Sequence, residues 1–122
     1  MNVLVVEDER LTSWSLSASL AKWGFDVRSV FTGQDALHEL QKSGFDIVLL
    51  DYQLPDVDGL QIAKYVREVQ PDATILLVTG FQRAELKIAA GLIDEYFNKP
   101  LDMGQLHHTL TRIAKGENHG AK

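Results

Sequence analysis

The sequence predicts an α/β domain of five strand–helix repeats, with a parallel sheet covered by helices on both faces. Short apolar runs rich in β-branched residues recur at residues 3–6, 27–31, 47–50, 75–78 and 96–97, and the segments between them place apolar residues at helical spacing. The central runs Ile47-Val48-Leu49-Leu50 and Ile75-Leu76-Leu77-Val78 are continuous rather than alternating. That pattern belongs to strands buried on both faces, which strands alternating with helices must be.

Taken in order, the first strand is followed by Leu16, Leu20 and Trp23 at i, i+4 and i+7, one apolar stripe closed by Gly24. After the second strand come Ala36, Leu37 and Leu40, with Gly44 behind them. Beyond the third strand, Asp58 is positioned to cap a helix starting near Gly59, whose stripe is Ile62, Val66 and Val69. The fourth strand leads to a shorter stripe of Leu86, Ala89, Ala90 and Ile93. The fifth, Tyr96-Phe97, precedes Asp102, a cap for a last helix carrying Leu106, Leu110 and Ile113. Residues 1–115 read as one domain, and residues 116–122 as a polar tail or the start of a linker. There is no internal repeat.

The bulk composition narrows the function. The 122 residues are 45% hydrophobic and 24% charged, as expected of one globular core. Seventeen acids against twelve Lys and Arg give a net charge of -5, with the basic residues scattered. Direct nucleic-acid binding by this chain is disfavoured, because phosphate contacts need concentrated positive charge. No apolar run approaches the roughly 18 to 20 residues that span a bilayer, and residues 2–6 are too short for a signal peptide, so a cytoplasmic location is expected. The absence of cysteine excludes disulfides, thiol nucleophiles and thiolate metal sites. His107 and His108 are adjacent and point in different directions on a helix, which favours surface placement over a metal or phosphohistidine site. Trp14 and Trp23 read as packing residues rather than ligand platforms.

In such sheets, ligands bind beyond the carboxyl ends of the strands. Strand one ends in Glu7-Asp8, strand three in Asp51 and strand four in Thr79-Gly80, while strand five is followed by Asn98-Lys99-Pro100. Taken singly, each has an ordinary reading: turn acids, a strand-end threonine, a surface lysine. Together they converge on one crevice. Three carboxylates there repel one another, and without compensation at least one would retain a proton. A cation relieves this, and oxygen ligands without His or Cys favour Mg²⁺ or Mn²⁺. A carboxylate then free to attack phosphorus, with a metal and a lysine to absorb charge, is a phosphoryl acceptor. Asp51, central in the sheet, is the best placed.

Four segments carry a family resemblance: Val-Val-Glu-Asp-Glu, Asp-Ile-Val-Leu-Leu-Asp-Tyr-Gln-Leu-Pro-Asp-Val-Asp-Gly, Leu-Leu-Val-Thr-Gly and Tyr-Phe-Asn-Lys-Pro. Over about residues 2–115 the chain resembles the receiver domains of two-component response regulators. The resemblance implies a flavodoxin-like, doubly wound (βα)5 fold with strand order 2-1-3-4-5. It implies Asp51 as phosphoacceptor, Asp8 as direct metal ligand, Glu7 acting through a metal-bound water, and the backbone carbonyl of Gln53 as a further ligand. Thr79 resembles the switch hydroxyl and Lys99 the ammonium that pairs with phosphoryl oxygens. Pro100 resembles a proline that follows a cis bond, and Tyr96 the aromatic that turns inward when Thr79 moves; a buried core tyrosine is the alternative reading of Tyr96.

The implied partners are a sensor histidine kinase or phosphotransfer protein, a fused or separate effector domain, and a second copy in a homodimer. The implied output is a changed face on the fourth helix, fifth strand and fifth helix, with transcription control among the family's outputs.

Glu7 stands where the family more often has Asp, and the stretch from Thr79 to Lys99 is about two residues shorter than usual, which bears on any dimer face. Gln53 and Phe81 flank the expected entrance, as tuners of water access or, for Phe81, as packing. A phosphorylation-independent interaction module of the same fold is the rival reading. A phosphohydrolase is disfavoured, because Tyr52 and Gln53 follow Asp51 where a general acid would be needed. Nucleotide-binding loops of the Gly-x-Gly-x-x-Gly and Gly-Lys-Thr/Ser kinds are absent.

Overall fold

The computed structural model describes residues 1–80 and 91–116. Along the chain these form β1 (Asn2–Val6), α1 (Arg10–Lys22), β2 (Asp26–Val30), α2 (Gly33–Lys42), β3 (Ile47–Asp51), α3 (Gly59–Val69), β4 (Thr74–Thr79), β5 (Glu95–Asn98) and α4 (Met103–Ala114). The strands are parallel, in the order β2-β1-β3-β4-β5. The expected helix around residues 86–93 falls largely on residues 81–90 and so lies outside the described residues, as does Phe81. The helix after β5 is therefore α4. No helix among the described residues is long and apolar enough to cross a membrane.

Strand alternation builds two cores, one on each side of the sheet. Leu4, Val6, Val48, Leu50, Ile75 and Leu77 face α2 and α3, meeting Ala36, Leu40, Leu60, Ile62, Ala63 and Val66. Val3, Val5, Ile47, Leu49, Leu76 and Val78 face α1 and α4, meeting Leu16, Leu20, Leu106, Leu110 and Ile113. Because both faces of β1, β3 and β4 are covered, these strands are apolar at every position between their ends. Each such side chain fully buried contributes about 1.5–3 kcal/mol.

The helix ends follow local chemistry. Glu9 caps α1, Thr32 α2, Asp58 α3 and Asp102 α4, each side chain accepting a first-turn amide. At α3 the cap is a full capping box with Gln61. α1 ends in a Schellman motif: the Phe25 amide donates to the Leu20 carbonyl at 3.1 Å and the Gly24 amide to that of Ala21 at 3.0 Å, with Gly24 at φ 98°.

Two expectations about packing are corrected. Val69 continues the α3 stripe in angle but is the last residue of the helix and is 43% exposed. Trp14 is 71% exposed, because it lies two positions, about 200°, from the buried Leu16. Trp23 does pack, stacking on His107 with ring centroids 4.0 Å apart. His107 and His108 are both on the surface.

Candidate functional site

The sheet delivers the chemically capable side chains to one edge. Asp51 is the last residue of β3 and Thr79 the last of β4; Glu7 and Asp8 follow β1, and Lys99 follows β5. Backbone bonds continue past the ladders and fix these ends. The Tyr52 amide donates to the Val78 carbonyl at 2.9 Å, Lys99 to Thr79 at 3.0 Å and Glu7 to Val30 at 3.2 Å.

Glu7, Asp8 and Asp51 each present a carboxylate oxygen, and these oxygens lie within 4.8 Å of one another. Asp51 is 3% exposed and Glu7 6%, whereas Asp8 opens to solvent. The Lys99 ammonium sits 3.1 Å from each oxygen of Asp51, and the Gln53 amide donates to Asp51 Oδ1 at 3.1 Å. Three carboxylates against one ammonium leave the crevice with excess negative charge. Burial pushes the Glu7 carboxyl above its ordinary value, and the charges of Asp51 and Asp8 push it further; the Glu9 amide, donating to it at 3.0 Å, and Lys99 work against them. A divalent cation fits this donor set: clustered hard oxygens, with no His or Cys among the three ligating side chains.

Beside the acids lies a cavity of about 310 Å³. Val5, Leu16, Leu49, Val78 and Leu101 wall it, and Glu7, Asp51 and Lys99 line its polar side. The low-dielectric wall strengthens the electrostatics at Asp51. Thr79 is 2% exposed. Tyr96 is partly buried and packs against the core on the α2 and α3 side, and the Lys99–Pro100 peptide is cis. The structure thus gathers Glu7, Asp8, Asp51, Lys99 and Thr79 at one strand-end edge; Phe81 lies outside the described residues.

Three features of this edge have no counterpart in the reading of the sequence. Gly59 lets α3 begin against β3: a Cβ there would lie 2.8 Å from the Asp51 carbonyl oxygen and 2.9 Å from Tyr52 Cα. Glu9 caps α1 through the Thr12 amide at 2.7 Å and through its hydroxyl, and these bonds lower its carboxyl below the ordinary value. Asp56 accepts from the Gly33 and Gln34 amides at 2.8 and 2.9 Å. The Asp-Val-Asp-Gly run pointed to Asp58 and Gly59 as a cap and helix start, but no linear signal pairs Asp56 with Gly33.

Comparison with known proteins agrees with this fold. The family model described as the response regulator receiver domain matches residues 3–111. The transcriptional regulatory protein ZraR of Salmonella typhimurium is 34% identical over 115 residues, covering 92% of this chain and 26% of that protein. The chain therefore spans about a quarter of the length of that relative. Among solved structures, the response regulator TrrA of Thermotoga maritima in complex with Mg²⁺-BeF superposes with a TM-score of 0.83 at 27% identity, covering 92% of this chain and 97% of that one. A Burkholderia pseudomallei response regulator with a phosphorylated aspartic acid, a calcium ion and citrate superposes at 0.82 with 27% identity, covering 95% and 70%.

Proposed function

This chain belongs to the response regulator receiver domain family, and on that premise we propose that Asp51 accepts a phosphoryl group in a Mg²⁺-dependent reaction and that the resulting charge switches an output face. The observation that carries this reading is the Lys99 ammonium at 3.1 Å from the Asp51 carboxylate, with the Glu7 and Asp8 oxygens clustered beside it.

Asp8, Asp51 and the Gln53 carbonyl would hold Mg²⁺ or Mn²⁺ directly, and Glu7 through a water. When bound, the ion neutralises charge on the transferring phosphoryl oxygens. An Asp51 oxygen attacks phosphorus, and the bond to the donor's leaving group breaks with the electron pair going to that group. Lys99, already on the carboxylate, pairs with a phosphoryl oxygen, and Thr79 donates its hydroxyl to another. Tyr96 follows Thr79 inward. The face toward β5 and α4 changes as those contacts form. Hydrolysis of the aspartyl phosphate resets the switch; no turnover of an external substrate is involved.

We assign the phosphodonor role to a sensor histidine kinase or phosphotransfer protein in the cytoplasm. The exposed Leu11 and Trp14 on α1, with a groove lined by Leu11, Leu16, Leu101 and Met103 beside the site, support docking there. The output passes to an effector domain in the same or another chain, with transcription control as one outcome. The test is intact mass after incubation with acetyl phosphate. A single phosphoryl adduct on wild type that needs Mg²⁺ and disappears in Asp51→Asn is expected. No adduct despite measured Mg²⁺ binding, with rapid hydrolysis checked, would refute the reading in favour of a phosphorylation-independent module.

A further inference from the structure

The loop from β3 to α3 is tied down at three places. Its ends pair across an antiparallel bridge between Gln53 and Asp58. The Gln53 amide also donates to Asp51 Oδ1 at 3.1 Å. At the loop's tip, Asp56 reaches a different element. Its two oxygens accept from the amides of Gly33 and Gln34, the first residues of α2, at 2.8 and 2.9 Å. The positive end of α2 thus grips a carboxylate supplied from 23 residues away. Those amide bonds hold the Asp56 carboxyl below its ordinary value.

Gly33 makes the approach feasible. A Cβ there would lie 1.9 Å from Val57 Cγ2, 3.3 Å from Val57 Cβ and 3.2 Å from Asp56 Oδ1, so any other residue type displaces the Val57 side chain and crowds the clasp. Gln53, Pro55, Asp56 and Asp58 are exposed, and Leu54 and Val57 pack only at the margin of the core. With so little apolar burial, hydrogen bonds carry much of the loop's constraint.

We propose that Asp56 is a positioning residue for the cation site: clasped to α2, it holds the loop so that the Gln53 carbonyl faces the ion bound by Asp8 and Asp51. The inference rests on the metal-site reading proposed above and adds a residue to it. The groups that orient a metal's ligands govern affinity nearly as strongly as the ligands themselves. A carbonyl on an exposed loop, displaced by about half an ångström, no longer completes the shell.

The test is calorimetric titration of Mg²⁺ into wild type, Asp56→Ala, Asp56→Asn and Gly33→Ala, alongside melting temperatures in EDTA. Asp56→Ala is expected to weaken Mg²⁺ binding about tenfold. Asp56→Asn keeps one accepting oxygen and is expected to lose less, and it stands in should the alanine variant fail to fold. Gly33→Ala attacks the clasp from the opposite side. Alanine favours a helix over glycine, so weakened binding in that variant reports the loop and not the loss of α2. Unchanged affinity in both Asp56→Ala and Gly33→Ala, with wild type binding, would overturn the proposal even if the melting temperature falls, because the clasp would then be structural alone. Failure of wild type itself to bind Mg²⁺ would overturn the site reading, and the clasp's role with it.

Discussion

Gly59→Ala is expected to destabilise the protein although it replaces glycine by alanine within a helix. Helix propensity alone favours alanine by about 1 kcal/mol. Against this, the added Cβ would meet the Asp51 carbonyl oxygen at 2.8 Å, Tyr52 Cα at 2.9 Å and the Tyr52 carbonyl oxygen at 3.0 Å. All three obstacles are backbone, and no side-chain rotation relieves them. Overpacking of this kind typically costs about 1–3 kcal/mol, and backbone obstacles belong at the upper end. The net loss is therefore about 2 kcal/mol, or roughly 8 °C in melting temperature at about 4 °C per kcal/mol for a domain of this size. Gly104→Ala supplies the control. Its Cβ would meet one atom, Asp102 Oδ1, at 3.4 Å, so alanine in that first turn is neutral or stabilising. Both variants are compared with wild type by urea and thermal unfolding followed by circular dichroism. A Gly59→Ala protein as stable as Gly104→Ala would refute the claim that α3 is docked tightly on the end of β3.

Glu7→Gln is expected to raise the melting temperature in EDTA while weakening Mg²⁺ binding. Burial, with Asp51 and Asp8, holds the Glu7 carboxyl above its ordinary value, so the stability it contributes is present below the unfolded-state value and is lost as pH rises through the folded one. The advantage of Gln over Glu therefore grows from acidic to neutral pH, and a difference independent of pH would count against it. Lys99→Met removes the cation seated on Asp51; calorimetry should find Mg²⁺ bound several-fold more tightly while phosphoryl uptake slows. Arg67 donates to the carbonyls of Leu92 and Ala73 and pairs with Asp94 at 2.7 Å. Arg67→Ala should cost about 2–4 kcal/mol in urea unfolding and speed amide exchange at the start of β5, whereas a cost under about 1 kcal/mol would show the cluster to be an ordinary surface pair.

The central strands were legible because both of their faces are covered: Ile47 to Leu50 and Ile75 to Val78 have no polar position to obscure them. Asp58 and Asp102 were legible as caps because Asp before an apolar stripe is a strong signal, whereas Glu9, a residue type that rarely caps, was not. Periodicity gives the angle of a side chain and not the extent of the surface it faces, so Val69 reads as part of the buried stripe although it ends the helix and is 43% exposed. Residue type points to packing for Trp14, against the angle that separates it from Leu16. At the site, parallel topology carries strand ends to one edge, so Glu7, Asp8, Asp51, Thr79 and Lys99 could be grouped from sequence alone. The approach of Lys99 to Asp51 and the closeness of the three acids depend on side-chain placement that topology does not give. Asp56 looks like any turn acid in the chain. Its partners are backbone amides of α2, which any residue there would supply, and the need for Gly33 appears only once Val57 is placed against it.

Asp51 as the phosphoryl acceptor is the centre of the proposed function, and the most direct measurement is to locate the adduct. Borohydride reduces an aspartyl phosphate to homoserine, so wild type treated with acetyl phosphate and Mg²⁺, reduced and digested, can be read by peptide fragmentation. Homoserine at residue 51, absent without Mg²⁺ and absent without the phosphodonor, is the predicted result. Homoserine at another acid such as Asp8, or a phosphoryl group on His107 or His108 that borohydride does not reduce, would contradict it.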